Sequence, residues 1–204
     1  GFTKEVSNAS HFADVLAAAS ANSNTNVAML GESFKYAAPV AGSLGYSVED
    51  TAIALGLMAS SGLKSSMAGS SLRTILTNLA KPTDDISDAM DYLGISLQNS
   101  DGSMKSLMDI VTDLRGAFGQ CKMPMDQFQE NLAKLDEKYA NGELTEKNYN
   151  EALSDLTEKA YGAEGALKAK YAATLAGKEG MSGLLSIVSA APEDFDKLTN
   201  AIYN

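Results

Sequence analysis

The chain has 204 residues, enough for one sizeable domain or two small ones. Apolar residues make up 45%, aromatics only 7%, and Trp is absent; Ala, Leu and Met, all good helix formers, lead, so the composition leans to an all-α protein. The net charge of −10 argues against direct binding to phosphate backbones.

That charge is unevenly spread. Residues 1–82 balance at five basic and five acidic side chains, whereas 83–120 carry two against seven, 121–161 five against nine, and 162–204 four against five. Solvated helix faces account for such a pattern. Cys121 is the only cysteine, so no intrachain disulfide forms, as suits a reducing cytoplasm. The first ten residues do not read as a signal peptide. The chain lacks an initiator Met and ends in helical pattern at 201–204, which reads as a piece of a longer protein. Its longest apolar stretches, 15–19 and 52–59, are too short to span a bilayer.

The pattern predicts about nine short helices in a compact bundle. The first covers 11–20. The second covers 27–44, with Leu30, Phe34, Ala37 and Ala41 on one face and Pro39 expected to kink or split it. Gly45 ends it, and Ser47 caps a third, with Asp50 at the capping-box position. That third helix is apolar all round, through Val48, Ala52, Leu55 and Ala59 but also Ile53 and Leu57, and is expected at the centre of the core. A fourth follows Gly62, with Ala68, Leu72, Ile75, Leu76 and Leu79 on one stripe, and stops at Pro82. A fifth, acidic helix covers 84–93 and ends at Gly94. The period then changes to two at Ile95-Ser96-Leu97, and Ser100-Asp101-Gly102-Ser103 is a turn signal, so one small β-hairpin is expected near 95–105. A sixth helix covers 106–118.

Residues 121–161 differ in style. Met125, Phe128, Leu132, Leu135 and Tyr139 recur about every 3.5 residues, Asn141-Gly142 turns the chain, and Tyr149, Ala152, Leu153, Leu156 and Ala160 mark a second arm. This predicts an inserted antiparallel helical hairpin at 121–161, set within a helical domain formed by 1–120 and 162–204. After it come a helix at 166–176, a loop punctuated by Gly177, Gly180 and Gly183, a helix at 184–190, and a last helix from Pro192.

Catalytic and metal templates fail. His11 is the only histidine and no nucleophile motif accompanies it. Zinc would need Cys and His clusters that the sequence lacks. The turn 99–102 is not a calcium loop, because Leu97 and Met108 fall where acidic oxygens are required. Gly177-Lys178 is not the end of a phosphate loop, because Ala172 and Glu179 occupy defining positions. Asp84, Asp88 and Asp91 lie at helical spacing with no apolar pocket to raise a pKa. Met58, Met67, Met90 and Met108 fall among core positions and read as packing. No catalytic, cofactor-binding or metal-binding residue is assigned.

Seven stretches together carry a resemblance. Residues 34–52 (FKYAAPVAGSLGYSVEDTA), 57–64 (LMASSGLK), 68–73 (AGSSLR), 79–83 (LAKPT), 93–95 (LGI), 171–184 (YAATLAGKEGMSGL) and 191–195 (APEDF) closely resemble the core region of phage tail tape measure proteins. The resemblance covers 9–120 and 165–204. Proteins of this kind usually join the helix near Phe118 to the 171 segment by a short linker, where this chain has its charged hairpin. The resemblance implies a structural protein without enzymatic activity. It implies a role in tail length determination, assembly and genome ejection. The implied place is the virion tail lumen after synthesis in the host cytoplasm, and the host envelope after ejection. The implied partners are the tail tube protein, tail assembly chaperones, tail tip proteins and further copies of the chain, with host envelope contact on ejection. Two other readings stay open: a helical binding module that contacts a tail or host envelope protein, and an accessory segment of a cell-wall hydrolase.

Overall fold

The computed structural model describes residues 9–119, 123, 125–162 and 165–203. Ten α-helices occur among them: α1 Ala9–Ala21, α2 Val27–Ser43, α3 Val48–Ser60, α4 Ser65–Ala80, α5 Asp84–Leu93, α6 Leu107–Phe118, α7 Met125–Ala140, α8 Glu146–Tyr161, α9 Gly165–Ser189 and α10 Pro192–Tyr203.

Caps explain most boundaries. Asn26, Ser47, Thr83, Ser106 and Thr145 are extended in backbone and accept from the N–H three residues on, which satisfies a donor that a helix start leaves open. Ser106 and Asp109 complete a reciprocal capping box at α6. The Ser47 pair does not. Asp50 N–H donates to Ser47 Oγ at 3.0 Å, but the Asp50 carboxylate turns to other helices. Gly94, at φ 67°, closes α5 in the left-handed conformation that glycine adopts without strain. Pro39 does not split α2, which continues to Ser43 with Leu30, Phe34, Ala37 and Ala41 buried. Packing of that face holds the helix across the missing donor.

The core is continuous. In α3 every residue from Asp50 to Ala59 is buried, as an all-round apolar helix requires. The helix α4 is gripped on two sides. A Cβ on Gly69 would sit 2.2 Å from the Ser33 carbonyl oxygen of α2, and one on Gly183 of α9 would sit 2.1 Å from Ser71 Oγ. The backbones therefore pack at glycine distance. Ser33 Oγ donates to Ser65 O at 2.7 Å and Ser71 Oγ to Gly180 O at 3.2 Å, which seals both crossings. The helix α10 lies against α1 and α3, and Leu198 seats over Gly56, where a Cβ would come within 3.1 Å of its methyl. The arms α7 and α8 turn at Gly142 (φ 74°) and pack on α9. Phe128 and Phe118 both meet the Tyr161 ring edge-on, at 6.0 and 6.1 Å, which joins the hairpin seam to α6.

Two expectations are corrected. The β-hairpin near 95–105 is absent: no strand forms among the described residues, and one isolated antiparallel bridge joins Gln98 and Met104. Only Asn99 N–H to Ser103 O (2.8 Å) and Lys105 N–H to Leu97 O (2.9 Å) flank it, too few rungs for a ladder with no third strand beside it. The loop expected over Gly177–Gly183 shrinks to a kink at Gly177 (φ 65°, ψ 178°), where the helix expected at 166–176 does end; a second helical run follows it within α9 to Ser189 and takes in Gly180 and Gly183. Gly180 and Gly183 are small because α4 lies on them, not because the chain turns there.

Candidate functional site

One buried and one half-buried carboxylate organise the polar interior. Asp50 is 4% exposed. It accepts from Met108 N–H at 3.4 Å, in the first turn of α6, and from the Tyr203 hydroxyl of α10. One carboxylate thus ties α3, α6 and α10. Burial, and then the Asp50 hydrogen bond, push the Tyr203 hydroxyl up to about 12; burial, and then the Asp50 charge, also raise Tyr46.

The second is Asp136 of α7. Its Oδ1 accepts from the Tyr149 hydroxyl of α8 at 2.6 Å, and its Oδ2 from the Ser182 hydroxyl of α9. Burial raises the Asp136 carboxyl above the ordinary carboxylate range, and the two hydroxyl donors pull it partly back. Burial, and then the facing carboxylate, drive the Tyr149 hydroxyl far above its usual range. A cavity of about 330 Å³ opens beside the cluster, with Met67, Arg73, Tyr139 and Lys178 on its walls. Tyr139 stacks on Tyr149 at 4.5 Å.

The chemistry available there is positional. Ser182 gives its hydroxyl hydrogen to a carboxylate, and the nearest amine on its helix, Lys178, is held as a cation by ion pairing with Glu146. A neutral base of the kind that activates a serine is not supplied by this pairing. A third anchor closes the helix end: the Arg115 guanidinium donates to Ile187 O (2.8 Å) and Ala190 O (2.7 Å) and lies over the Phe195 ring at 5.2 Å.

Of the residues weighed from sequence, Met108 meets Asp50 through its N–H, and Met67 and Lys178 line the cavity beside Asp136; the others lie apart from these anchors. His11 Nε2 sits 2.6 Å from Glu49 Oε1 on a partly exposed surface. Asp84, Asp88 and Asp91 form an exposed stripe. Asp101 accepts from Ser103 N–H (2.9 Å) and Oγ (2.6 Å), which holds a turn and lowers its carboxyl. Gly177 stands against Thr74 and Asn78. Met58 is buried, and Met90 and Met108 pack against the core, but Met67 is 48% exposed, contrary to its core assignment. Cys121 lies outside the described residues. Sequence reasoning gave Asp50 only a capping role and passed over Asp136 and Arg115; the one available signal was a charged residue on an otherwise apolar helical face.

Among the described residues no group of three or more His, Cys, Asp or Glu side chains is arranged to hold a metal ion. Nor, among the described residues, is any helix long and apolar enough to cross a membrane.

Comparison with known proteins carries the question further. The chain is 34% identical to the tape measure protein of Pneumococcus phage Dp-1 over 203 residues, all of this chain and 14% of that protein. The charged hairpin therefore lies within the matched span. It is 29% identical over 125 residues to the probable tape measure protein of Escherichia phage P2, covering 61% of this chain and 15% of that one. The chain spans about one seventh of the length of these relatives. No solved structure matches it. The model of the phage-related minor tail protein family matches residues 1–135, and the chain belongs to that family.

Proposed function

We propose that this chain is a folded structural module of a phage tail tape measure protein. The observation that carries this reading is the match to a tape measure protein along the whole chain, helical hairpin included. The closed packing supports the word module. Helices of 10 to 25 residues fold back on one another about a single buried core, which is not the form of an extended rod. In this reading the module sits in the virion tail and serves tail length determination, assembly and genome ejection. Its partners there are the tail tube protein, assembly chaperones and tip proteins, with the host envelope met on ejection.

Deleting residues 121–161 in the phage tests it. Extended helix rises about 1.5 Å per residue, so removal of about 41 residues from a rod shortens the tail by roughly 60 Å. A folded module leaves tail length unchanged under electron microscopy and shifts the defect to ejection or adsorption. Shortening in proportion to the deletion refutes the module reading, and normal tails with normal infection refute a role for the hairpin.

A further inference from the structure

The hairpin carries a groove that its own core does not use. It lies between α7 and α8, has a volume of about 370 Å³, and no residue of α9 lines it. Its floor is apolar, from Leu135, Ala152 and Leu156. Its rim is basic. Lys134 and Lys138 stand one turn apart on α7 and Lys159 faces them from α8, with Asp155 the only carboxylate among the lining side chains. Residues 121–161 hold five lysines against nine acidic residues, so bringing three of the five to one groove creates a local basic site on an acidic chain. Lys134 reaches Glu130 at 2.6 Å, but no ion pair within 4 Å engages Lys138 or Lys159 among the described residues.

The complementary surface is on the same molecule. The outer face of α5 shows Asp84, Asp85, Asp88 and Asp91, all exposed, and the helix has no basic residue. Asp84 and Asp88 are separated by the same four residues as Lys134 and Lys138, a rise of about 6 Å in each helix. Tyr92, at the end of the stripe, stacks on Tyr171 at 4.3 Å yet stays 54% exposed, so part of its ring still adds apolar surface to this face. The helix α5 is held against α6 and α9 and does not line the groove, so the contact is one between chains.

We infer that the α7–α8 groove receives the acidic face of α5 from a second copy of this chain. The two surfaces differ, so the contact is head-to-tail and each copy presents one free groove and one free stripe for the next. It stands on the surface of this chain alone and does not depend on the role in the tail.

Charge reversal and charge swap test it on the 204-residue chain by sedimentation equilibrium at physiological ionic strength, where only near charges interact. The unaltered chain associates as concentration rises. Lys138→Glu with Lys159→Glu weakens self-association about tenfold or more, and Asp88→Lys with Asp91→Lys does the same, because each pair sets like charges face to face. Mixing the two double variants restores association, since each then offers the other an opposite charge. All substituted positions are exposed, and unchanged melting of each variant verifies that folding is intact. A chain that stays monomeric at every concentration overturns the proposal. So does association indifferent to the groove reversal. Loss on groove reversal but not on α5 reversal, or no rescue on mixing, shows that another segment fills the groove and also overturns it.

Discussion

Asp136 places a carboxyl where water is only partly available, and that has a pH signature. Its carboxyl is raised in the folded chain above the ordinary 3.8, so the folded state binds this proton more readily than the unfolded state. Stability from this group is therefore greatest below the ordinary value and falls as pH rises from there through the raised one. Asp136→Asn is expected to flatten that part of the stability profile, and urea midpoints for both proteins across the acidic range measure it. A slope equal in the two proteins contradicts the raised Asp136 carboxyl. Elsewhere the contrast is cruder. Leu72 is 1% exposed on α4, whereas Asp88 is exposed on α5. Leu72→Asp buries an unpaired carboxylate and costs several kcal/mol, about the whole stability of a domain, while Asp88→Ala changes the midpoint by less than about 0.5 kcal/mol. Equal thermal midpoints would refute the core map. Leu72 was legible in the sequence because its stripe is local. Asp136 was not, because Ser182 lies 46 residues away and nothing local marks a carboxylate that a distant hydroxyl will meet.

At the scale of elements, periodicity identified helices well and glycine misled. Gly180 and Gly183 read as loop because glycine weakens an isolated helix, yet both lie in α9 where α4 crosses it. A single sequence shows the missing side chain but not the neighbour that requires it to be missing. The same limit produced the hairpin: Ile95-Ser96-Leu97 alternates, but three residues of alternation suit an extended turn as well as a strand. The glycines divide by what surrounds them, and substitution reads the difference. Gly69→Ala drives a Cβ into the Ser33 carbonyl, so α2 and α4 must part, at a cost of about 1–3 kcal/mol. Gly31→Ala meets nothing within 4 Å and should stabilise α2 by up to about 1 kcal/mol through helix propensity. Calorimetric midpoints moving in opposite directions would bear out the pair; matching shifts would not. We further propose that α7 and α8 form a separable unit. A short Gly/Ser bridge from Gln120 to Gly162 should preserve cooperative melting but lower the midpoint, because Phe118 loses the Tyr161 ring and Ser182 loses Asp136. An insoluble or non-cooperative product would show that the hairpin is integral to the core.

For the molecule as a whole, the all-helical class and the central place of α3 were readable from composition and from a helix apolar on every side. The order in which helices pack was not, because it depends on crossings such as Gly69 on Ser33 that join segments far apart in the chain. One such neighbourhood bears on how the molecule carries load. The first described helix, α1, and the last, α10, lie against each other, with α3 behind both. The path enters and leaves on one side. Tension between the two ends therefore falls first on the α1–α10–α3 contact, at Leu198 over Gly56, before it reaches the gripped helix α4. Pulled, the fold should peel from its rim inward while its centre holds. Once the centre yields, about 200 residues at roughly 3.4 Å each would release on the order of 650 Å of slack, the behaviour expected of a coiled reserve of chain with a force threshold.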